Sequence, residues 1–62
     1  METLKEKIKV LVVDDSALMR KMIPVLISAD KDIEVIGTAM DGDFALNKIP
    51  QLRPDVITLD ID

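Results

Sequence analysis

Cysteine is absent from the 62 residues, so no disulfide and no thiolate zinc site can staple a fold this small. Aromatics are almost absent as well. Phe44 is the only one, and any core must therefore be aliphatic, built from Ile, Leu, Val, Ala and Met. No apolar run approaches the roughly 18 residues of a membrane span, and the charged stretch from Met1 to Lys9 has no signal-peptide core. The expected setting is cytoplasmic, with no membrane partner. A basic stripe with interleaved aromatics is also missing, and the formal net charge is −4, which argues against nucleic acid as a partner. A chain of this length buries only about 60% of the surface its unfolded form exposes. With no covalent staple available, the remaining device is self-association.

What the chain does have is the stretch Val10-Leu11-Val12-Val13-Asp14-Asp15-Ser16. Four aliphatic residues in a row read as a strand buried on both faces, and the acids and serine behind them read as a strand end passing into a helix start. A strand apolar on both faces needs helices above and below its sheet. The acids then lie at the carboxyl edge of a central strand, where open α/β sheets place their ligands.

Taken in order, Met1 to Lys7 is a frayed lead-in, and a first strand runs from Ile8 or Lys9 to Val13. Ser16 is positioned to cap a helix from Ala17 to about Ala29. The helical period puts Arg20, Lys21, Pro24 and Ser28 on its polar face, and Leu18, Met22, Val25, Leu26 and Ala29 on the face lying on the sheet. Pro24 removes one backbone bond and is expected to bend this helix without ending it. Ile33 to Ala39 reads as a second strand, with Glu34 suited to a sheet edge. Asp41 can cap a second helix running to about Leu52, buried through Ala45, Ile49 and Leu52, with Pro50 expected to end or distort it early. Val56 to Leu59 is a third strand, ending on Asp60-Ile61-Asp62. The order β-α-β-α-β with short links implies parallel strands and right-handed crossovers. The expected fold is the βαβαβ half of a flavodoxin-like doubly wound sheet, strand order 2-1-3. Its third strand would offer an unpaired edge to a second copy.

If strands 1 and 3 are neighbours, Asp14, Asp15 and Asp60 converge. Three like charges in one place raise one another's pKa values or recruit a hard cation with oxygen ligands such as Mg²⁺. A carboxylate left partly free beside that cation is a possible nucleophile toward a phosphoryl group. The plainer alternative leaves Asp15 and Ser16 as helix caps, Asp14 as a solvated loop acid and Asp60 as a strand end.

The runs Val-Val-Asp-Asp-Ser-Ala-Leu-Met-Arg at 12–20, Val-Ile-Gly-Thr-Ala at 35–39, Asp-Gly at 41–42 and Pro-Asp-Val-Ile-Thr-Leu-Asp-Ile at 54–61 resemble the receiver domain of two-component response regulators. Within that family the likeness is nearest to the receivers of chemotaxis protein-glutamate methylesterases, and it covers the chain from Ile8 onward. The resemblance implies that Asp60 is the phosphoacceptor, taking a phosphoryl group from a histidine kinase in chemotaxis signalling. It implies that Asp15 is a direct Mg²⁺ ligand, that Asp14 acts through bound water, and that the main-chain carbonyl of Asp62 completes the protein's share of the metal shell. Ser16 and Arg20 match the pattern as cap and helix surface, without a chemical role.

The sequence also departs from that family. A receiver has five strands, and these residues cover three. The hydroxyl residue after strand 4 and the lysine after strand 5 that contact the phosphoryl group in the family have no counterpart here, nor does an esterase domain with its nucleophilic serine. Position 62 is Asp where Glu followed by Met-Pro is more usual. The expectation is one truncated receiver domain over residues 1–62, not an enzyme in itself, with little or no activity alone, weak or absent Mg²⁺ binding, and a homodimer formed through the strand 3 edge or by element exchange. Two other classes were weighed. Ile57 to Asp62 also resembles the Asp-x-Asp motif of haloacid-dehalogenase-type phosphohydrolases, with Asp60 and Asp62 as its acids, but that motif opens its domain. A Rossmann-type nucleotide site needs glycines where Asp14 and Asp15 stand.

Overall fold

A computed structural model of the chain describes residues 6–61. Most of the expected lead-in, and Asp62 with its proposed metal-binding carbonyl, lie outside the described residues. The element order is β1 (Ile8–Asp14), α1 (Ala17–Ile27), β2 (Ile33–Ala39), α2 (Gly42–Leu52) and β3 (Val56–Asp60). All three strands are parallel and lie in the order β2-β1-β3, the architecture expected of alternating strands and helices. Helix α1 ends two residues sooner than the sequence pattern suggests, at the Ser28 C-cap.

β1 is the axis of the molecule. Val10, Leu11, Val12, Val13 and Asp14 are all buried, because one helix covers each face of this strand. Leu11 and Val13 join Ala39 and Ala45 in one cluster, against which Ile49 and Leu52 of α2 pack. The period-2 alternation of a strand puts Val10, Val12 and Asp14 on the other face, under α1. Ile36 is bulged out of the β1–β2 ladder: Val10 pairs with Val35 but Leu11 pairs with Gly37. The bulge changes which β2 residues face α2, so that Gly37 and Ala39 lie beside Leu11 and Val13. A Cβ on Gly37 would sit 2.8 Å from Leu52 Cδ1, and its absence is what lets α2 seat this deeply.

Two expectations about the helices are corrected. The expected inward face of α1 is not the observed one. Leu18, Met22, Val25 and Leu26 are exposed, Val25 at 72% and Leu26 at 66%, and Ala29 is exposed too, while Met19, Arg20, Ile23, Pro24 and Ile27 are half-buried. The phase of the helix is set at its start. Ser16 caps it through Met19 N at 3.3 Å, and the Arg20 guanidinium reaches back to the Asp14 carbonyl at 2.9 Å. With Arg20 turned toward the strand, the residues one and two turns later, Ile23 and Ile27, face the sheet. Helix α2, in turn, does not end early at Pro50 but runs on to Leu52. It stops at Arg53, which adopts φ 52°, ψ 59° as a left-handed cap and donates its N–H to the Ile49 carbonyl at 2.7 Å. Asp41 caps the other end through Phe44 N at 3.0 Å, as its position before Gly42 predicts.

β3 is held differently. Asp55 ties its start to β1, donating its N–H to the Lys9 carbonyl at 2.8 Å and accepting from Lys9 N on Oδ2 at 2.9 Å. Its ladder to β1 then runs in register from Val10–Val56 to Asp14–Asp60. Among the described residues neither helix packs on β3, and Val56, Ile57 and Leu59 are exposed.

Candidate functional site

The parallel register decides which acids meet. Asp14 and Asp60 are partners at the last rung of the β1–β3 ladder, so their Cα atoms stand about 5 Å apart with side chains on the same face. Asp15 follows directly and is exposed at the strand-to-helix turn. Asp60, at the end of an uncovered strand, is exposed as well. Asp14 is the opposite case, 2% exposed and held at several atoms. Its carbonyl accepts from Arg20 Nη1 at 2.9 Å and its Oδ1 accepts from Ser16 N at 2.9 Å. Its Oδ2 is buried with no hydrogen-bond partner.

A buried carboxylate oxygen without a donor is costly unless something answers it. It is a hard oxygen donor beside two further carboxylates, and such a set suits a small divalent cation such as Mg²⁺ better than a soft metal. The residues present therefore fit that ion. Among the described residues no group of three or more acids is already gathered at metal-holding distances. The ladder thus brings Asp14 and Asp60 side by side and sets Asp15 at the next position, without closing a cage around them.

The sequence reading missed Arg20, to which it gave no role beyond helix surface. In the structure Arg20 clamps the backbone of Asp14 and, with the Ser16 N–H, fixes which carboxylate oxygen is left over. The signal was the spacing: Arg20 lies one helical turn after the cap residue Ser16, and a side chain there points back over the strand end. The plainer view of Asp14 as a solvated loop acid is overturned by its burial, while Ser16 is indeed a cap.

Three parallel strands in the order β2-β1-β3 with a helix on each face, and aspartates at the carboxyl edge of the central strand and its neighbour, define a class: a doubly wound α/β module whose ligand site is an acidic sheet edge. Comparison with known proteins carries this further. The model of the response regulator receiver domain matches residues 10–62. The chain belongs to the response regulator receiver domain family.

It is 69% identical over 55 residues to protein-glutamate methylesterase/protein-glutamine glutaminase 2 of Koribacter versatilis, and 64% identical over 55 residues to the corresponding protein of Bacillus subtilis, each alignment covering 89% of the chain. The response regulator domain of Thermotoga maritima CheB, a crystal structure, superposes with a TM-score of 0.86 at 49% identity over 92% of the chain. The chain spans about 15% of the length of those two relatives and 42% of the solved Thermotoga chain. Among the described residues no helix is long and apolar enough to cross a membrane.

Proposed function

We propose that the acidic edge is a phosphoryl-accepting site of chemotaxis signalling in the cytoplasm, with Asp60 as the acceptor and a histidine kinase as the donor. The observation that carries this reading is the ladder rung that sets an exposed Asp60 beside a buried, clamped Asp14. A nucleophile must be free to reach phosphorus in line, and the groups that organise charge around it must be rigid. Asp60 is on the free side of that division and Asp14 on the rigid side. In the transfer an Asp60 carboxylate oxygen bonds to phosphorus as the bond from phosphorus to the donor's imidazole nitrogen breaks. The electron pair of that bond leaves with the nitrogen.

Asp14, Asp15 and Asp60, with the main-chain carbonyl of Asp62, would hold Mg²⁺. When bound, that ion supplies positive charge against the oxygens of the transferring group. Arg20 and the Ser16 N–H keep the Asp14 carboxylate aimed. The 62 residues offer no further cation or hydroxyl beyond strand 3 to balance the remaining phosphoryl charge, so they accept slowly by themselves and bind the ion weakly. In this reading they form the first three strands and two helices of a receiver and contain no esterase chemistry.

The reading is tested by intact-mass spectrometry after incubation with Mg²⁺ and acetyl phosphate. A slow adduct on the chain and none on Asp60→Asn is expected. No adduct at saturating donor, or an adduct that survives in Asp60→Asn, overturns the assignment. The Asp-x-Asp hydrolase alternative is set aside, because the receiver family match includes Asp60.

The proposal extends to self-association. β3 has an open edge and two bare faces, and the outer side of α1 adds Leu18, Met22, Val25 and Leu26 to the exposed apolar surface. A second copy pairing along β3, or exchanging an element, would cover part of it. Sedimentation equilibrium is expected to show a monomer–dimer equilibrium. A folded monomer up to the highest workable concentration contradicts it.

A further inference from the structure

On the opposite side of β1 from the acids, the carboxyl end of β2 lies at the floor of a second feature. Arg20 from α1, Phe44 and Lys48 from α2, and Thr38, Ala39 and Met40 from the strand end line a cavity of about 230 Å³ that opens to solvent. Both cations are half-buried, and each is anchored by a strand-end carbonyl. Arg20 donates to the carbonyl of Asp14 and Lys48 Nζ donates to that of Thr38. Among the described residues neither is paired with a carboxylate, although the chain carries twelve acids against eight bases.

A carbonyl satisfies one donor and none of the charge. The guanidinium has five N–H donors and the ammonium three, so most of them remain available. The rest of the lining is apolar: Ala39 is buried, and the side chains of Met40 and Phe44 are each about half exposed. Phe44 is the chain's single aromatic, and it lies beside the two cations without a core role.

We propose that this cavity is a binding site for an oxyanion, a carboxylate or phosphate head carried on a short apolar stem. The head bridges Arg20 and Lys48 and the stem lies against Met40 and Phe44. A planar guanidinium and an ammonium together offer charge-assisted hydrogen bonds to two oxygens of one head. The volume admits a single such group rather than a drug-sized molecule. The site stands apart from the acidic edge, which repels anions in the absence of a bound cation, and it needs no metal. Arg20 is shared between the two: one of its N–H groups holds the Asp14 carbonyl while the others face the cavity, so occupancy bears on how firmly Asp14 is clamped.

The test is a titration followed in ¹H–¹⁵N spectra at constant ionic strength, using inorganic phosphate, butyrate and a short peptide with a Glu beside a Leu as probes. Saturable shifts are expected at Thr38, Met40, Phe44 and Lys48. Lys48→Gln should weaken binding about tenfold, the loss of one charge-assisted contact, and Lys48→Arg should restore it. Asp60→Asn should bind as the parent does, which keeps this outcome separate from that of the phosphoacceptor reading. The same spectra show whether each variant is folded. Saturation with the free acids identifies a small molecule as the source of the head, and saturation with the peptide alone identifies a protein side chain. Either upholds the site. Linear, unsaturating shifts with every probe, or unchanged affinity in a folded Lys48→Gln variant, overturn it.

Discussion

β1 and β3 lie side by side in one sheet and both end on an aspartate, yet they are built to different standards. β1 is covered on both faces and flanked by a strand on each side, and every residue from Val10 to Asp14 is buried. β3 is paired on one side only, and neither helix reaches it. The result is an edge with one fixed acid and one loose acid. Asp14 is locked by a backbone clamp, one N–H and burial, whereas Asp60 rides on a strand secured by its ladder and by the Asp55–Lys9 pair at its start. A phosphoryl acceptor benefits from that division, since one carboxylate must organise charge and its neighbour must reach phosphorus.

The contrast can be broken most forcefully in its covered half. Leu11 is 0% exposed within the α2-side cluster, and Leu11→Ala is expected to cost about 2–5 kcal/mol, enough to unfold much of so small a domain. Leu59→Ala, at a side chain 68% exposed, should cost less than about 0.5 kcal/mol. Urea unfolding at low protein concentration measures both. A large effect at Leu59 would mean that β3 is covered in solution.

A smaller effect is expected where α2 seats on β2. Gly37→Ala places a Cβ 2.8 Å from Leu52 Cδ1 and should cost about 1–3 kcal/mol as Leu52 is displaced. Gly42→Ala meets nothing within 4 Å and should be neutral or slightly stabilising. The same unfolding assay separates the two, and equal effects would show that α2 does not seat as described.

On the open side, Thr58 Oγ1 is buried without a hydrogen-bond partner. Thr58→Val keeps the shape and removes the orphan, so a gain of about 1 kcal/mol is expected. A loss would reveal a partner for that hydroxyl. The smallest change is at the α2 terminus, where Arg53 adopts a left-handed conformation that glycine takes without strain. Arg53→Gly should raise the thermal midpoint slightly, by the equivalent of about 0.5 kcal/mol.

Much of this division was legible in the residues. The run from Val10 to Val13 announces a strand buried on both faces, the bare helical and strand periods place α2 and β2 within a residue of their observed bounds, and the acids at 14, 15 and 60 fall where strand ends must. The inward face of α1 was not legible. Its sequence is apolar on two sides, with Met19, Ile23 and Ile27 on one and Leu18, Met22, Val25 and Leu26 on the other, so periodicity admits either. The choice is made by the Arg20 contact to the Asp14 carbonyl, a tertiary bond that no local pattern encodes. The bulge at Ile36 was hidden for the same reason: it depends on pairing with β1 and on the room that Gly37 leaves for Leu52.

The measurement that bears most directly on the fixed and loose acids is native-state amide hydrogen exchange, resolved residue by residue at low protein concentration. The account predicts that the amides of Val12, Val13 and Asp14 exchange only with global unfolding, and that the β3 amides bonded to β1 exchange at least about tenfold faster through local opening. Equal protection along β1 and β3 would contradict it, because both aspartates would then be held alike.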